Sequence, residues 1–214
     1  MSEANAILLL GPTGSGKSPL GDLIHRQGLW GRPVRHFDFG RQLRDVVSGR
    51  SRIEGLSAAD VEFLAGVLDR GALLEDEQFY VARAILQAFI RQLPESRGDA
   101  APAWIVLNGL PRHASQARDV DLLVCVRAVV HLACTAEAVL ERIRTNVGGD
   151  REGRCDDDES AVRRRLDVYE QRIAPLDEHY RRLAVPLVTL TVGPTDTPRD
   201  VWEKLDGRPA PFTI

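Results

Sequence analysis

An uninterrupted apolar run, Ala6–Leu10, leads straight into Gly11-Pro12-Thr13-Gly14-Ser15-Gly16-Lys17-Ser18, and no other stretch constrains the fold as strongly. The octapeptide fits G-x-x-x-x-G-K-[ST], with a strand-like segment before it and a helical one after it. Its glycines let the backbone curl until successive N–H groups face one concavity, and the positive end of the following helix adds to the pull on anions. Polyphosphate is the ligand such a turn suits, with Lys17 expected at the β- and γ-phosphates and Ser18 at a magnesium ion. Pro19 falls in the first helical turn, where its missing N–H costs little. All but two of the 28 basic residues are arginine, and one of those two lysines occupies the slot where a point charge meets phosphate.

A turn of this kind belongs to a layered α/β domain, and the rest of the chain is patterned accordingly. Strand-like runs recur at Val34–Phe37, Trp104–Leu107, Ala128–Ala133 and Val185–Thr191, which with Ala6–Leu10 predicts a five-stranded parallel sheet flanked by helices. Apolar residues spaced three and four apart predict helices over Ala59–Leu68 and Gln78–Leu93, the first opened by a capping-box-like Ser57 and Asp60. These lie within a helical insert, residues 39–93, longer than an ordinary crossover. A polar segment with three glycines, residues 146–158, follows a predicted helix over Ala136–Arg144 and reads as a short flap. A long helix over Glu159–Arg182 and a last one over Pro198–Leu205 complete the single domain.

Composition narrows the function. With 214 residues, 43% hydrophobic and 28% charged, the chain is neither disordered nor collagenous, and its net charge of −3 lacks the basic footprint of a nucleic-acid binder. Three cysteines, Cys125, Cys134 and Cys155, carry no paired metal-ligand spacing; they point to a reducing compartment and not to a zinc site. The run Ala6–Leu10 is too short for a membrane span or signal. The expectation is a cytoplasmic monomer that handles small nucleotides, with neither a nucleic-acid polymer nor a membrane as partner. A guanine-nucleotide switch is disfavoured, because Glu203-Lys204-Leu205-Asp206 is not N-K-x-D and there is no third lysine.

Further along, Asn108-Gly109-Leu110-Pro111-Arg112-His113-Ala114-Ser115-Gln116-Ala117 resembles the D-G-F-P-R-x-x-x-Q-A loop of the adenylate kinase family. Gly153-Arg154-Cys155-Asp156-Asp157-Asp158-Glu159 resembles its G-R-x-D-D-N-E, and Arg163-Arg164-Arg165-Leu166 with Tyr169 its K-K-R-L and tyrosine. The resemblance implies transfer of the γ-phosphoryl of ATP to a nucleoside monophosphate, with Mg²⁺ as cofactor. It assigns Arg112 and Arg44 to the acceptor phosphate, Gln116 to the acceptor base, and Gly109 and Phe39 to the acceptor side. Arg142 takes the ATP base, while Arg154 and Arg165 grip the transferring group when the flap closes. Asp156 and Asp157 would order the flap. Physically, such a transfer gathers many negative charges around a loose transition state, which converging guanidinium forks stabilise.

Four departures bear on that picture. Asn108 stands where the family has the aspartate that holds magnesium-bound waters, so a water-mediated contact to the metal there loses its charge. Ser18-Pro19 replaces glycine and threonine after the lysine, Phe39 replaces a threonine that reads the adenine, and Asn146 replaces an arginine. Asp38 becomes a candidate for a hydroxyl or a metal ion, or else caps the helix that follows. Two alternatives stay open: a kinase of a small hydroxylated metabolite, and a nucleotide-binding protein with weakened turnover.

Overall fold

Ala4–Leu10 forms strand β1, and every one of its side chains is buried. The computed structural model, which describes residues 4–69, 74, 76–93, 103–150 and 159–212, gives the reason. Side chains alternate across a strand, so Ala4, Ala6, Leu8 and Leu10 enter one apolar cluster while Ile7 and Leu9 enter another on the opposite face. Numbered in chain order, β3 (Trp104–Asn108) and β4 (Val124–Ala133) flank β1. β2 (Val34–Asp38) and β5 (Leu187–Thr191) form the outer edges. The result is the five-stranded parallel sheet expected from the sequence, in the order β2-β3-β1-β4-β5.

Two helices, α1 (Lys17–Gln27) and α8 (Pro198–Asp206), cover the Ile7 and Leu9 face through Leu20, Ile24, Val201 and Leu205. The other face is covered by α2 (Phe39–Val47), α3 (Ala58–Asp69), α4 (Phe79–Arg91) and α5 (Ala114–Asp121). It also receives Leu176 and Tyr180 from the far half of α7 (Glu159–Arg182). α6 (Ala136–Thr145) packs through Val139 against Val162 and Leu166 of α7. Ser57 and Asp60 do form a capping pair: Asp60 Oδ2 accepts from the Ser57 N–H at 2.8 Å and Ser57 Oγ from the Asp60 N–H at 3.2 Å.

Two elements depart from expectation for visible reasons. β4 begins at Val124, not Ala128, because its pairing with β1 steps from Val126 to Ala128 and leaves Arg127 as a bulge. The bulged guanidinium donates to Asn5 Oδ1 at 2.7 Å, so a charge that breaks the apolar run in sequence does not break the strand. α5 was not expected at all. It is eight residues long and buries only Gln116, Ala117 and Val120, too few for a helical period to show.

A partly exposed ion-pair network ties α1 to β2. Asp22 Oδ1 lies 2.9 Å from His36 Nδ1, and the Arg41 fork donates to both Asp22 oxygens at 3.0 and 2.7 Å. Burial alone would raise the Asp22 carboxyl, but the hydrogen bonds from His36 and Arg41 outweigh it and hold it well below the usual carboxylate range. The stabilisation is therefore complete above about pH 4, the ordinary carboxyl value, and drains away as the pH falls toward the depressed folded value. Asp22→Asn is expected to lower the melting temperature at pH 7, and thermal scans below pH 4 should show the gap to wild type closing as wild type loses the same interaction.

Candidate active site

The turn after β1 ends at Gly16, the N-cap of α1, whose φ of 91° is left-handed and suits a residue without a Cβ. Lys17 Nζ folds back over the turn and donates to the carbonyls of Gly11 and Pro12, each at 2.7 Å. Pro12 O also accepts from the Ser15 N–H at 3.3 Å, and Gly14 O from Arg142 Nε at 3.2 Å, with Thr13 half-buried between them. Ser15 is 1% exposed, and its Oγ is buried with no hydrogen-bond partner among the described residues. A buried hydroxyl left unsatisfied inside a curled turn is what a phosphate oxygen would complete.

At the carboxyl end of the sheet, Asp38 and Asn108 are register partners across β2 and β3. Both reach Ser18: its Oγ donates to Asp38 Oδ2 at 2.5 Å and accepts from Asn108 Nδ2 at 2.9 Å, while Asn108 Nδ2 also donates to Asp38 Oδ2 at 2.9 Å. The other Asp38 oxygen accepts from the Arg41 N–H at 2.9 Å and caps α2. Burial works to raise the Asp38 carboxyl, but the hydrogen bonds from Ser18 and the Arg41 N–H prevail, and it lies below its ordinary value. A hydroxyl and a single carboxylate beside a triphosphate cradle fit magnesium, which keeps several waters and takes phosphate oxygens as ligands.

Arg112 lies next to this group. Its Nε donates to Gly109 O at 3.0 Å, and its guanidinium lies 5.6 Å from the centre of the Phe39 ring. Gly109 has φ 89°, and a Cβ there would come 3.2 Å from Phe39 Cβ, so the loop closes on Phe39 only without a side chain at this position. Burial pushes Arg112 down to about 10, opposed by Asp38 and aided by the positive charges of Arg172 and Arg165. Arg112 still carries its proton at neutral pH, and Arg165 and Arg172 stand close enough for their charges to act on it. Arg172, seven residues after Arg165 on α7, was not among the expected site residues. The signal for it was the i, i+7 spacing that places the two on one helix face.

Other expected residues are placed less openly. Phe39 is 1% exposed, so it meets an acceptor only through the guanidinium it supports. Gln116 is also 1% exposed: its Oε1 accepts from the Arg112 N–H and its Nε2 donates to Leu74 O, both at 3.0 Å. Arg142, 3% exposed, donates through NH1 to the carbonyls of Gly193 and Asp196 at 2.7 Å each, tying the phosphate turn to the loop before α8. Arg44 is exposed on α2. Arg154, Asp156 and Asp157 lie outside the described residues. Beside the turn, Tyr169 OH and His131 Nε2 share a hydrogen bond at 2.5 Å, which holds α7 against β4.

A phosphate turn at the end of the central strand of a five-stranded parallel sheet, with helices on both faces, defines a P-loop kinase fold. Among solved structures, a gluconokinase from Sinorhizobium meliloti 1021 shares that fold at a TM-score of 0.55 and 16% identity, over 97% of this chain and 92% of its own. No family model matches the chain. Among curated proteins, the adenylate kinase of Synechococcus sp. (strain CC9311) is 35% identical over 182 residues, covering 82% of this chain and 84% of that protein. That of Synechococcus sp. (strain WH7803) is 32% identical over 182 residues with the same coverage. The adenylate kinase of Prochlorococcus marinus (strain MIT 9313) is 30% identical over 181 residues, again covering 82% and 84%. The chain belongs to the adenylate kinase family.

Proposed function

We propose that this kinase moves the γ-phosphoryl group of ATP to a nucleoside monophosphate, AMP first among them, and so yields two ADP. One observation supports it above the rest: the charge of Arg165, on a helix far along the chain, acts on Arg112 beside the Asp38 and Ser18 pair that borders the phosphate turn. Lys17 leaves its two carbonyls for the β- and γ-phosphates, and the Ser15 hydroxyl closes on a phosphate oxygen. Arg112 draws in the acceptor phosphate, with Arg44 at the cleft edge, and Arg165 and Arg154 neutralise the transferring group as residues 146–158 close as a lid. No protein nucleophile is needed, since positioning and charge do the work. Ser18, and Asn108 through water, would hold magnesium, which would supply positive charge against the phosphates of the donor.

In this proposal residues 39–93 form the acceptor-side insert, and the enzyme works as a cytoplasmic monomer on small nucleotides. Among the described residues, no helix is long and apolar enough to cross a membrane. A second acceptor class, a small hydroxylated metabolite, is favoured by one feature: the Gln116 amide is buried, and each of its ends already holds one partner inside the fold. A coupled assay across AMP, CMP, UMP, GMP and dAMP separates the two. AMP is expected to be the best acceptor; intact ATP binding without transfer to any nucleotide rules the proposal out.

A further inference from the structure

The anion that this family keeps at the end of β3 is absent here, because Asn108 occupies that position, yet a carboxylate still touches the Ser18 hydroxyl. It comes from one strand further out. Asp38 and Asn108 are direct register partners, so the carboxylate at the end of β2 reaches across to the hydroxyl that the β3 residue also contacts. Asn108 donates to both Ser18 Oγ and Asp38 Oδ2 at 2.9 Å. The amide therefore steers the carboxylate and does not replace it.

Charge at position 38 needs a reason. Capping α2 does not supply one, since asparagine caps a helix as well as aspartate does. Asp38 is 6% exposed, and burying an ionised carboxylate is costly without a compensating cation. Among the described residues its hydrogen-bond partners are a hydroxyl, a carboxamide and a backbone N–H, all neutral. The guanidinium of Arg41, whose own N–H meets Asp38, is hydrogen-bonded to Asp22 instead. An ionised, buried carboxylate is thus held against the phosphate-turn serine by neutral donors, while the guanidinium charges of Arg41 and Arg112 act on it without a hydrogen bond to it among the described residues.

We propose that Asp38, and not Asn108, is the anion that steadies the magnesium ion of the bound triphosphate, with Ser18 as the hydroxyl between them and Asn108 as the residue that positions Asp38. This rests on the kinase function proposed above, but only on its donor half. The test therefore uses donor alone: calorimetric titration of a non-hydrolysable ATP analogue into the full-length protein, with and without magnesium chloride. Wild type is expected to bind more tightly with magnesium. Asp38→Asn should lose that gain by about 10- to 100-fold, the range for residues that hold a metal through its outer shell, and should bind the metal-free analogue no worse. Asp38→Asn with Asn108→Asp, which moves the charge back to β3, should recover most of the gain.

Asn108→Ala serves where Asp38→Asn fails to fold, as judged by thermal melting without nucleotide. It leaves the carboxylate in place and is expected to keep the larger part of the magnesium gain. Absence of any magnesium gain in wild type, its persistence in Asp38→Asn, or its disappearance in Asn108→Ala each overturns the proposal. Loss of phosphoryl transfer in Asp38→Asn with the magnesium gain intact assigns the carboxylate to an acceptor hydroxyl instead. No acceptor is present in the titration, so an error about the acceptor leaves its outcome unchanged.

Discussion

Lys17→Ala is expected to lower kcat/KM by about 10³-fold, the scale on which preorganised charge at a transition state contributes, and to abolish the rise in melting temperature that ATP gives wild type. The reason is local. Lys17 is one of only two lysines in the chain, and its ammonium is held 2.7 Å from two carbonyls of the turn it serves. Arriving phosphate oxygens offer a full negative charge where those carbonyls offer partial ones. The ammonium transfers to them without leaving the turn. Lys17→Arg should not rescue the loss, because a planar fork on a longer stem does not fit a space shaped for a compact point charge. Without nucleotide, Lys17→Ala should melt close to wild type, since the hydrogen bonds it loses lie within one partly solvated loop. Turnover within threefold of wild type would show that the turn holds no triphosphate.

The parts of this molecule that could be read in advance are those where one residue has one job. β1 was legible because a strand covered on both faces must be apolar throughout, and the turn after it because only glycine tolerates the backbone of Gly16. The start of β4 was not, since Arg127 looks like an interruption until the bulge shows where its side chain goes. Asp38 was legible only as a choice between helix cap and ligand. In the fold the choice disappears, because a carboxylate has two oxygens: one caps α2 and the other meets Ser18. No spacing rule joins positions 18, 38 and 108, which only strand pairing brings together. Arg142 and Gln116 are harder still. Sequence can say that a guanidinium or an amide stands at a position, but not that backbone carbonyls and an N–H already engage it.

The second large effect concerns Arg112. Replacement by lysine keeps a charge at this position and should still reduce kcat by about 10²-fold, the scale on which a misplaced substrate loses rate. Arg112 uses Nε on Gly109 O while its guanidinium lies over the Phe39 ring, so the fork is held at two points and its terminal nitrogens are left for an acceptor phosphate in the proposed function. An ammonium cannot hold Gly109, lie on the ring and offer two parallel donors at once. Burial and the charges of Arg172 and Arg165 already push this guanidinium down to about 10. A lysine starts from about 10.4, and the same surroundings would bring it close to losing its proton at neutral pH. The lysine variant should consequently recover part of its kcat as the pH is lowered from 8 to 6, whereas Arg112→Ala, with no charge to regain, should be pH-insensitive over that range. Affinity for ATP should change by less than about threefold in either variant, because among the described residues Arg112 has its hydrogen bonds to Gly109 and Gln116 and not to the phosphate turn; steady-state kinetics at saturating ATP beside direct ATP titrations measures both halves. A lysine variant within tenfold of wild type, or one that loses ATP binding in step with turnover, would place Arg112 outside the acceptor site.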